Sequence, residues 1–244
     1  MSFRICAGSI TGRDHLLDGR NCQDALHYLE FEVEGAPYVV GVVADGCGEG
    51  LYSEVGARLV APFVCQSIRN SLRNNVPLED LPNLLLVQVK RFLYLLLDGY
   101  DFSDEGERDI FIHNHLLFTL VGFVITPQET LTFLAGDGLI QVNDVSHCIR
   151  EEAPAYLTYM LVKPDGQVGD LPGFTLYSLP TAELERLMIG SDAWLDEPEL
   201  RAEVWRGRTP VAMQRLMNRW SDAQHFRDDA SLITVVRERE EVRA

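Results

Sequence analysis

The sequence contains no segment that is typical of export from the cell or of insertion into a membrane. Its first residues have no apolar stretch of the kind found in secretory signals. Its most apolar run, residues 81–99, is interrupted by Gln88, Lys90 and Arg91, and the apolar parts on either side are too short to cross a bilayer. We therefore expect a cytoplasmic protein without a membrane anchor.

Basic side chains are few. The chain has 21 lysines and arginines against 37 aspartates and glutamates, which gives a formal net charge of −16. Nucleic acids and anionic membrane surfaces repel such a chain. The composition therefore argues against nucleic-acid and membrane partners, although a negative balance most often serves solubility.

Cysteine pairs and several catalytic signatures are also missing. The five cysteines form no CxxC pair and are odd in number, so we expect reduced thiols. No CxxxxxR, GxSxG or GxxxxGK[ST] pattern occurs, which argues against cysteine phosphatases, serine hydrolases and P-loop proteins. The stretch GCGEG lacks the GxGxxG spacing, and Asp45 and Glu49 would repel a pyrophosphate there.

Hydrophobic periodicity predicts the first half of the fold. Residues 25–33 and 38–44 read as strands of a hairpin joined through EGAP. Two helices follow, of which the first begins at residue 53 and the second ends at about residue 97. Residues 98–109 read as an acidic loop. The apolar runs between residues 110 and 150 predict a β meander with turns at TPQ, GDG and ND.

The second half alternates irregular, helical and extended patterns. We expect residues 151–180 to be irregular, a strand to end in RLMIGSD, a helix over VAMQRLMNRWSDAQHF and a last strand over ASLITVV. No composition break appears, so we predict one α+β domain over residues 1–238, with largely antiparallel sheet and helices outside it. Residues 239–244 would form a short charged tail.

Aspartates recur at the ends of the predicted strands: Asp24, Asp45, Asp137, Asp192 and Asp228. A single aspartate at such a place usually forms a turn. Strand ends of one sheet converge, however, and two carboxylates about 5 Å apart repel by roughly 3 kcal/mol at an effective dielectric near 20. A bound cation would offset that repulsion, and hard oxygen ligands indicate magnesium or manganese.

His113 and His115, in HNH, would lie on one face of a strand within the meander. No third ligand is evident near them in the sequence, so a surface or packing role is favoured over a zinc site.

These stretches together resemble the PPM-type, or type 2C, metal-dependent protein phosphatases, and most closely their bacterial branch. The matching stretches run in the family's order over about residues 8–237: NCQDAL, VVADGCGEGLYSEVGARLV, FTLVGFVI, TFLAGDGLIQVN, LMIGSDAWLD and DDASLITVV. The resemblance implies a four-layer α/β/β/α sandwich, with two antiparallel sheets between layers of helices.

The resemblance also implies a role for each matching residue. Asp45 would bridge two magnesium or manganese ions, and the carbonyl of Gly46 would bind one of them. Asp192 and Asp228 would bind the other ion, and Asp24 would act largely through metal-bound water. In some family members the positions of Asp137, Asp192 and Asp196 hold a third, weaker ion.

The implied reaction is hydrolysis of phosphoserine and phosphothreonine in proteins. In the mechanism that the resemblance implies, a hydroxide bridging the two metals would attack phosphorus in line, without a phosphoenzyme. The implied partners are phosphoprotein substrates and a cognate serine/threonine kinase or its targets, and we expect a monomer.

Three positions depart from the family pattern. Gly19 stands where many members have a phosphate-gripping arginine, and Arg20 is the substitute we predict. Cys47 stands where eukaryotic members place a histidine, and Ala193 replaces the usual glycine of SDG. Ala193 is unstrained only if its φ is negative. These departures motivate a second hypothesis, a catalytically weak, phosphatase-like regulatory module that binds phosphoproteins or another partner.

Overall fold

The computed structural model describes residues 2–150, 156–161 and 173–238. Its strands are Ser2–Ile10 (β1), Ala25–Val33 (β2), Ala36–Gly46 (β3), Phe118–Ile125 (β4), Glu129–Ala135 (β5), Gly138–Val142 (β6), Val145–Ile149 (β7), Thr175–Pro180 (β8), Arg186–Gly190 (β9) and Ala230–Glu238 (β10). Its α-helices are Arg13–Asp18 (α1), Glu54–Arg73 (α2), Leu81–Asp98 (α3), Glu105–His115 (α4), Pro198–Glu203 (α5) and Pro210–Asp222 (α6). Short 3₁₀ turns cover Leu157–Leu161, Thr181–Glu183, Asp192–Leu195 and Val204–Arg206.

The strands form two antiparallel sheets. Sheet A has the order β1-β10-β9-β6-β7, and sheet B has the order β2-β3-β4-β5-β8. The predicted hairpin between β2 and β3 is confirmed, and its turn at Glu34 and Gly35 has φ values of 52° and 79°. Such left-handed pairs suit the twist of a two-residue hairpin loop.

The alternation of side chains along β3 shows how the layers stack. Val39 and Val43 belong to an apolar cluster between the two sheets, whereas Val40, Val42 and Ala44 belong to the cluster beneath helices α2 and α3. Burying each of these valine side chains contributes about 1.5–3 kcal/mol. A strand that is apolar on both faces is what a sheet covered on both sides requires.

Sheet A is covered on its outer face by a third cluster. Trp194 lies at its centre, in edge contact with Trp220 of α6 and with Phe226. The order of layers is therefore helices, sheet B, sheet A, helices. The predicted α+β four-layer sandwich is confirmed.

The predicted meander is wrong at one turn. β5 and β6 are consecutive in the chain but lie in different sheets, so the turn at Gly136, Asp137 and Gly138 crosses the sandwich. Gly136 and Gly138 have φ values of 86° and 143°, and a Cβ on Gly138 would lie 2.6 Å from Val121. Only glycine fits these two positions without strain.

The prediction for residues 98–115 is wrong in its second part. Helix α4 begins inside the expected loop, and residues 110–115 are helical instead of extended. The Asp104 carboxylate accepts a hydrogen bond from the N–H of Glu107 at 2.9 Å, and Glu107 accepts one from the N–H of Ser103 at 2.7 Å. This reciprocal cap outweighs the β propensity of the isoleucine and phenylalanine residues that follow.

Other parts of the sequence prediction were incomplete. β8 lies within the segment expected to be irregular, and β1 and α1 were not predicted. The strand ending in RLMIGSD, the helix over residues 211–222 and the last strand are confirmed. Residues 239–244 lie outside the described residues, and one domain over residues 1–238 stays a prediction. In the part of the chain that the structure describes, no helix is long and apolar enough to cross a membrane.

Gly122 in β4 provides a test of this packing. A Cβ at this position would lie 2.2 Å from the ring of Phe133 on the paired strand, so Gly122→Ala must displace the ring. We expect the free energy of unfolding to fall by about 1–3 kcal/mol, measured by urea titration. As a control, Gly48→Ala adds a methyl group in open space and is expected to change it by less than about 0.5 kcal/mol. Equal stability of the two variants would contradict the packing of Phe133.

Candidate metal centre

The pairing of β2 with β3 brings two of the predicted aspartates together. The register ends with Ala25 opposite Ala44, so Asp24 and Asp45 come next on the two strands. The two carboxyl groups lie close together, and the charge of Asp24 adds to the effect of burial in raising the pKa of Asp45.

The other aspartates reach the same end of the sandwich from sheet A. β6 and β9 pair with Leu139 opposite Gly190, which places Asp137 beside Asp192 two residues further on. β10 begins directly after Asp228 and Asp229 and pairs with β9. The N–H of Ser191 donates to the carbonyl of Ser231 at 3.1 Å and holds the two ends together.

The electrostatics of Asp45 show that four carboxyl groups converge. Burial raises the pKa of Asp45 well above its usual value, and the charges of Asp24, Asp192 and Asp228 raise it further. Burial and then the charge of Asp228 raise the pKa of Asp192. The folded chain by itself therefore disfavours the charged forms of these groups.

Asp24 is the most enclosed of the four. It is 4% exposed, and its Oδ2 accepts a hydrogen bond from the hydroxyl of Ser191 at 2.8 Å. Its Oδ1 is buried and has no hydrogen-bond donor within the described part of the chain. Burial and then the charge of Asp229 raise the pKa of Asp24 to about 7.

The buried, clustered carboxyl groups and the oxygen of Asp24 that is unpartnered among the described residues are what a bound cation would require. Buried polar atoms are normally satisfied, and clustered carboxylates need a positive charge between them. The donors at the centre of the cluster are carboxylate oxygens, which magnesium and manganese prefer. The residues present are therefore suited to hold one or more of these ions.

The loop after β3 is closely packed around Gly46. A Cβ on Gly46 would lie 2.7 Å from the hydroxyl of Ser53 and 2.8 Å from the carbonyl of Gln23. The carbonyl of Cys47 accepts hydrogen bonds from the N–H of Gly50 and from the Ser53 hydroxyl, both at 2.9 Å. Gly46 is thus required by space, and the loop holds its backbone next to Asp45.

Arg20 lies beside this loop. Its Nη1 donates to the carbonyl of Gly48 at 2.7 Å, in a solvent-exposed position. Gly19 ends helix α1 with a φ of 68°, a conformation in which an arginine would be strained. The geometry of this helix end therefore favours glycine over arginine at position 19.

The other two departures are accommodated locally. Ala193 lies in the 3₁₀ turn Asp192–Leu195 and is not among the described residues with positive φ, so it carries no backbone strain. Cys47 is 8% exposed, and its thiol contacts the phenol of Tyr156. That contact and, more strongly, burial raise the pKa of Tyr156.

Sequence reasoning missed the buried carboxylate of Asp229. Its Oδ1 accepts from the N–H of Gly12 at 2.7 Å, and its Oδ2 accepts from the N–H of Gln23 at 2.5 Å and contacts Nδ1 of His15 at 2.9 Å. Asp229 thereby ties α1 and the segment before Asp24 to the start of β10. The doublet DD before the last strand was the available signal, but only its first member was chosen.

His15, Asp228 and Asp229 also bring ligand atoms within 4.8 Å of one another. Both oxygens of Asp229 are already engaged, so we interpret Asp229 as an anchor and not as a metal ligand. Asp228 is the exposed member of the trio, with its side chain 60% accessible, and it faces the aspartate cluster.

The interpretation of His113 and His115 as neighbours on a strand is wrong. Both lie on helix α4, where residues two apart point to different faces. His115 stacks on Phe111 and Tyr52 at centroid distances of 4.4 and 5.3 Å, which is a packing role.

Comparison with known proteins finds a family model that matches this chain. A family model described as protein phosphatase 2C matches residues 11–152, more than half of the chain. The comparison with curated protein sequences gives no match.

Solved structures resemble the whole chain. Serine/threonine phosphatase Stp1 from Staphylococcus aureus superposes with a TM-score of 0.63 at 15% identity, over 98% of this chain and 96% of that chain. PppA from Pseudomonas aeruginosa has a TM-score of 0.55 at 17% identity, over 97% and 98%. RsbX in complex with magnesium has a TM-score of 0.53 at 12% identity, over 96% and 94%. At these identities the matches establish the fold alone.

The anchoring role of Asp229 is open to a direct test. In Asp229→Asn the amide NH₂ must face at least one of the N–H donors of Gly12 and Gln23, which leaves a buried donor without an acceptor. We expect the free energy of unfolding to fall by roughly 1–3 kcal/mol in urea with EDTA present, which removes any effect of bound metal. Asp222→Asn, at the exposed end of α6, is the control. If Asp229→Asn matched the wild type, the carboxylate would not be an anchor.

Proposed function

Because the chain belongs to the protein phosphatase 2C family, we propose that it hydrolyses phosphoserine and phosphothreonine in proteins through a binuclear magnesium or manganese centre. The family is metal-dependent, and the chain is a protein serine/threonine phosphatase. The proposal extends this to the number of ions and to the residues that hold them.

One observation carries the proposal. Asp24, Asp45, Asp192 and Asp228 come from four separate segments of the chain, yet their carboxyl groups meet at one end of the sandwich. Burial raises the pKa of the first three, and the charges of the other members of the cluster raise the pKa of Asp45 further. A fold that keeps such a cluster at a cost to its own stability is best explained by a bound cation that offsets the cost.

The chain's residues would divide the work as follows. Asp45 would bind both ions, the carbonyl of Gly46 one of them, and Asp192 and Asp228 the other. Asp24, held by the hydroxyl of Ser191, would orient water at the centre. When bound, the two ions would lower the pKa of a water between them and neutralise the phosphate oxygens.

Arg20 would hold the substrate phosphate. Its contact with Gly48 engages Nη1, and the other guanidinium donors face no partner among the contacts of the described residues. A guanidinium that the loop after β3 holds in place could therefore bind a phosphate oxygen with its remaining donors.

A catalytically weak regulatory module is the second candidate, and the cysteine at position 47 is the observation that favours it. A thiol is a weaker acid than the imidazolium form of histidine, so the buried cysteine beside Tyr156 is a poorer proton donor to a leaving alkoxide. Turnover comparable to that of an ordinary phosphatase would exclude this candidate.

The partners follow from the reaction. We infer phosphoproteins as substrates, a serine/threonine kinase acting on the same proteins, a monomeric state and a cytoplasmic location. The net charge of −16 favours substrates with basic residues around the phosphorylated side chain.

Removal of a central ligand should abolish both activity and metal binding. We expect Asp45→Asn and Asp228→Asn to lower kcat/KM for phosphothreonine peptides by roughly 100-fold or more, since even indirect metal contacts are worth 10–100-fold. Manganese at about 100 times its Kd should stabilise the wild type by about 2.7 kcal/mol, seen as a rise in Tm, and should not stabilise Asp45→Asn.

Asp98→Asn, at the exposed end of α3, is the matched control for charge removal. It should keep both the activity and the metal-dependent rise in Tm. A wild type that binds manganese but releases no phosphate from p-nitrophenyl phosphate or phosphothreonine peptides would refute the proposed reaction.

Arg20→Gln tests the phosphate contact separately. Loss of a charge-assisted hydrogen bond should raise KM for p-nitrophenyl phosphate by about tenfold, while the Kd for manganese stays as in the wild type. Arg91→Gln, on the exposed face of α3, controls for the loss of a positive charge. A KM equal to that of the wild type would remove Arg20 from the site.

A further inference from the structure

Arg150 lies at the same end of sheet A as the aspartate cluster. β7 ends with Ile149 opposite Gly138, so the next residues on the two strands, Arg150 and Asp137, lie side by side. Asp192 flanks Asp137 from the other side, because β6 also pairs with β9. The edge of the sheet thus presents a carboxylate, a second carboxylate and a guanidinium in adjacent positions.

The guanidinium also contacts a third acidic residue, which follows the 3₁₀ turn Asp192–Leu195. Nη2 of Arg150 donates to Oδ2 of Asp196 at 3.0 Å. This contact and the charges of Asp192 and Asp137 raise the pKa of Arg150, and Arg150 in turn lowers the pKa of Asp192. One guanidinium is therefore within electrostatic reach of three carboxylates: Asp137, Asp192 and Asp196.

This contact does little for the stability of the fold. The side chains of Arg150 and Asp196 are 54% and 70% exposed, and exposed ion pairs contribute little to stability. The positive charge beside Asp137 and Asp192 is therefore better explained by its effect on those carboxylates.

We propose that the guanidinium of Arg150 takes the place of a third cation beside Asp137, Asp192 and Asp196, so that this enzyme binds two metal ions and not three. The inference rests on the proposed binuclear function. A divalent ion at the three carboxylates would lie close to a fixed positive charge that cannot lose its proton. Asp192 remains available to the binuclear centre because its contact with Arg150 is electrostatic and not a hydrogen bond.

The number of bound ions tests the proposal. Isothermal titration of the full chain with manganese should show two sites in the wild type and an additional, weaker third site in Arg150→Gln. Arg150→Lys keeps the charge and should retain two sites. Arg150→Gln combined with Asp137→Asn should return to two sites, because a ligand of the opened site is then missing.

Arg201→Gln is the matched control, because Arg201 is a nearby arginine. It contacts the sulfur of Cys148 at 3.1 Å, and Cys148 lies on β7, the strand that Arg150 follows. This variant should bind two ions, like the wild type. Three sites in the wild type, or two in Arg150→Gln, would overturn the proposal while the binuclear centre stands. A wild type that binds no manganese would refute the proposed function and this inference together.

Discussion

Repulsion among carboxylates is the constraint on which this end of the molecule depends. Asp24, Asp45, Asp192 and Asp228 are brought together by strand pairing, and burial raises the pKa of the first three of them. The strands can hold this arrangement because most of the stabilisation lies elsewhere, in the three apolar clusters between and outside the sheets. Apolar burial in the sandwich thus offsets the unfavourable free energy of bringing these carboxylates together.

The two neighbouring aspartates just before β10 have opposite environments. Asp228 is exposed and faces the cluster, whereas Asp229 is 1% exposed and is surrounded by donors from Gly12, Gln23 and His15. One position in the chain thus separates a candidate ligand from an anchor. The anchor matters to the site because it holds the segment that carries Asp24 against the strand that follows Asp228.

Local patterns predicted much of the fold and of the candidate site. The hairpin of β2 and β3, helices α2, α3 and α6 and the last strand were read from hydrophobic periodicity, and the strand-end aspartates from their positions. Errors arose where the signal was not local. Helix α4 was misread because the reciprocal cap of Ser103, Asp104 and Glu107 outweighs the β propensity of the residues that follow it. Strand β8 was missed because it is defined chiefly by its pairing with β5.

Residue type and spacing along the chain account for the composition of both strand faces, the carboxylates at the strand ends and the glycines of the tight turns. Three other features follow from tertiary packing: the turn at Asp137 crosses from one sheet to the other, Asp229 is enclosed, and Arg150 lies beside Asp137. These contacts depend on how residues distant in the chain pair and pack, as when Leu232 meets Gly190. The burial of the two sheets against each other selects this pairing, and a short stretch of sequence carries no information about it.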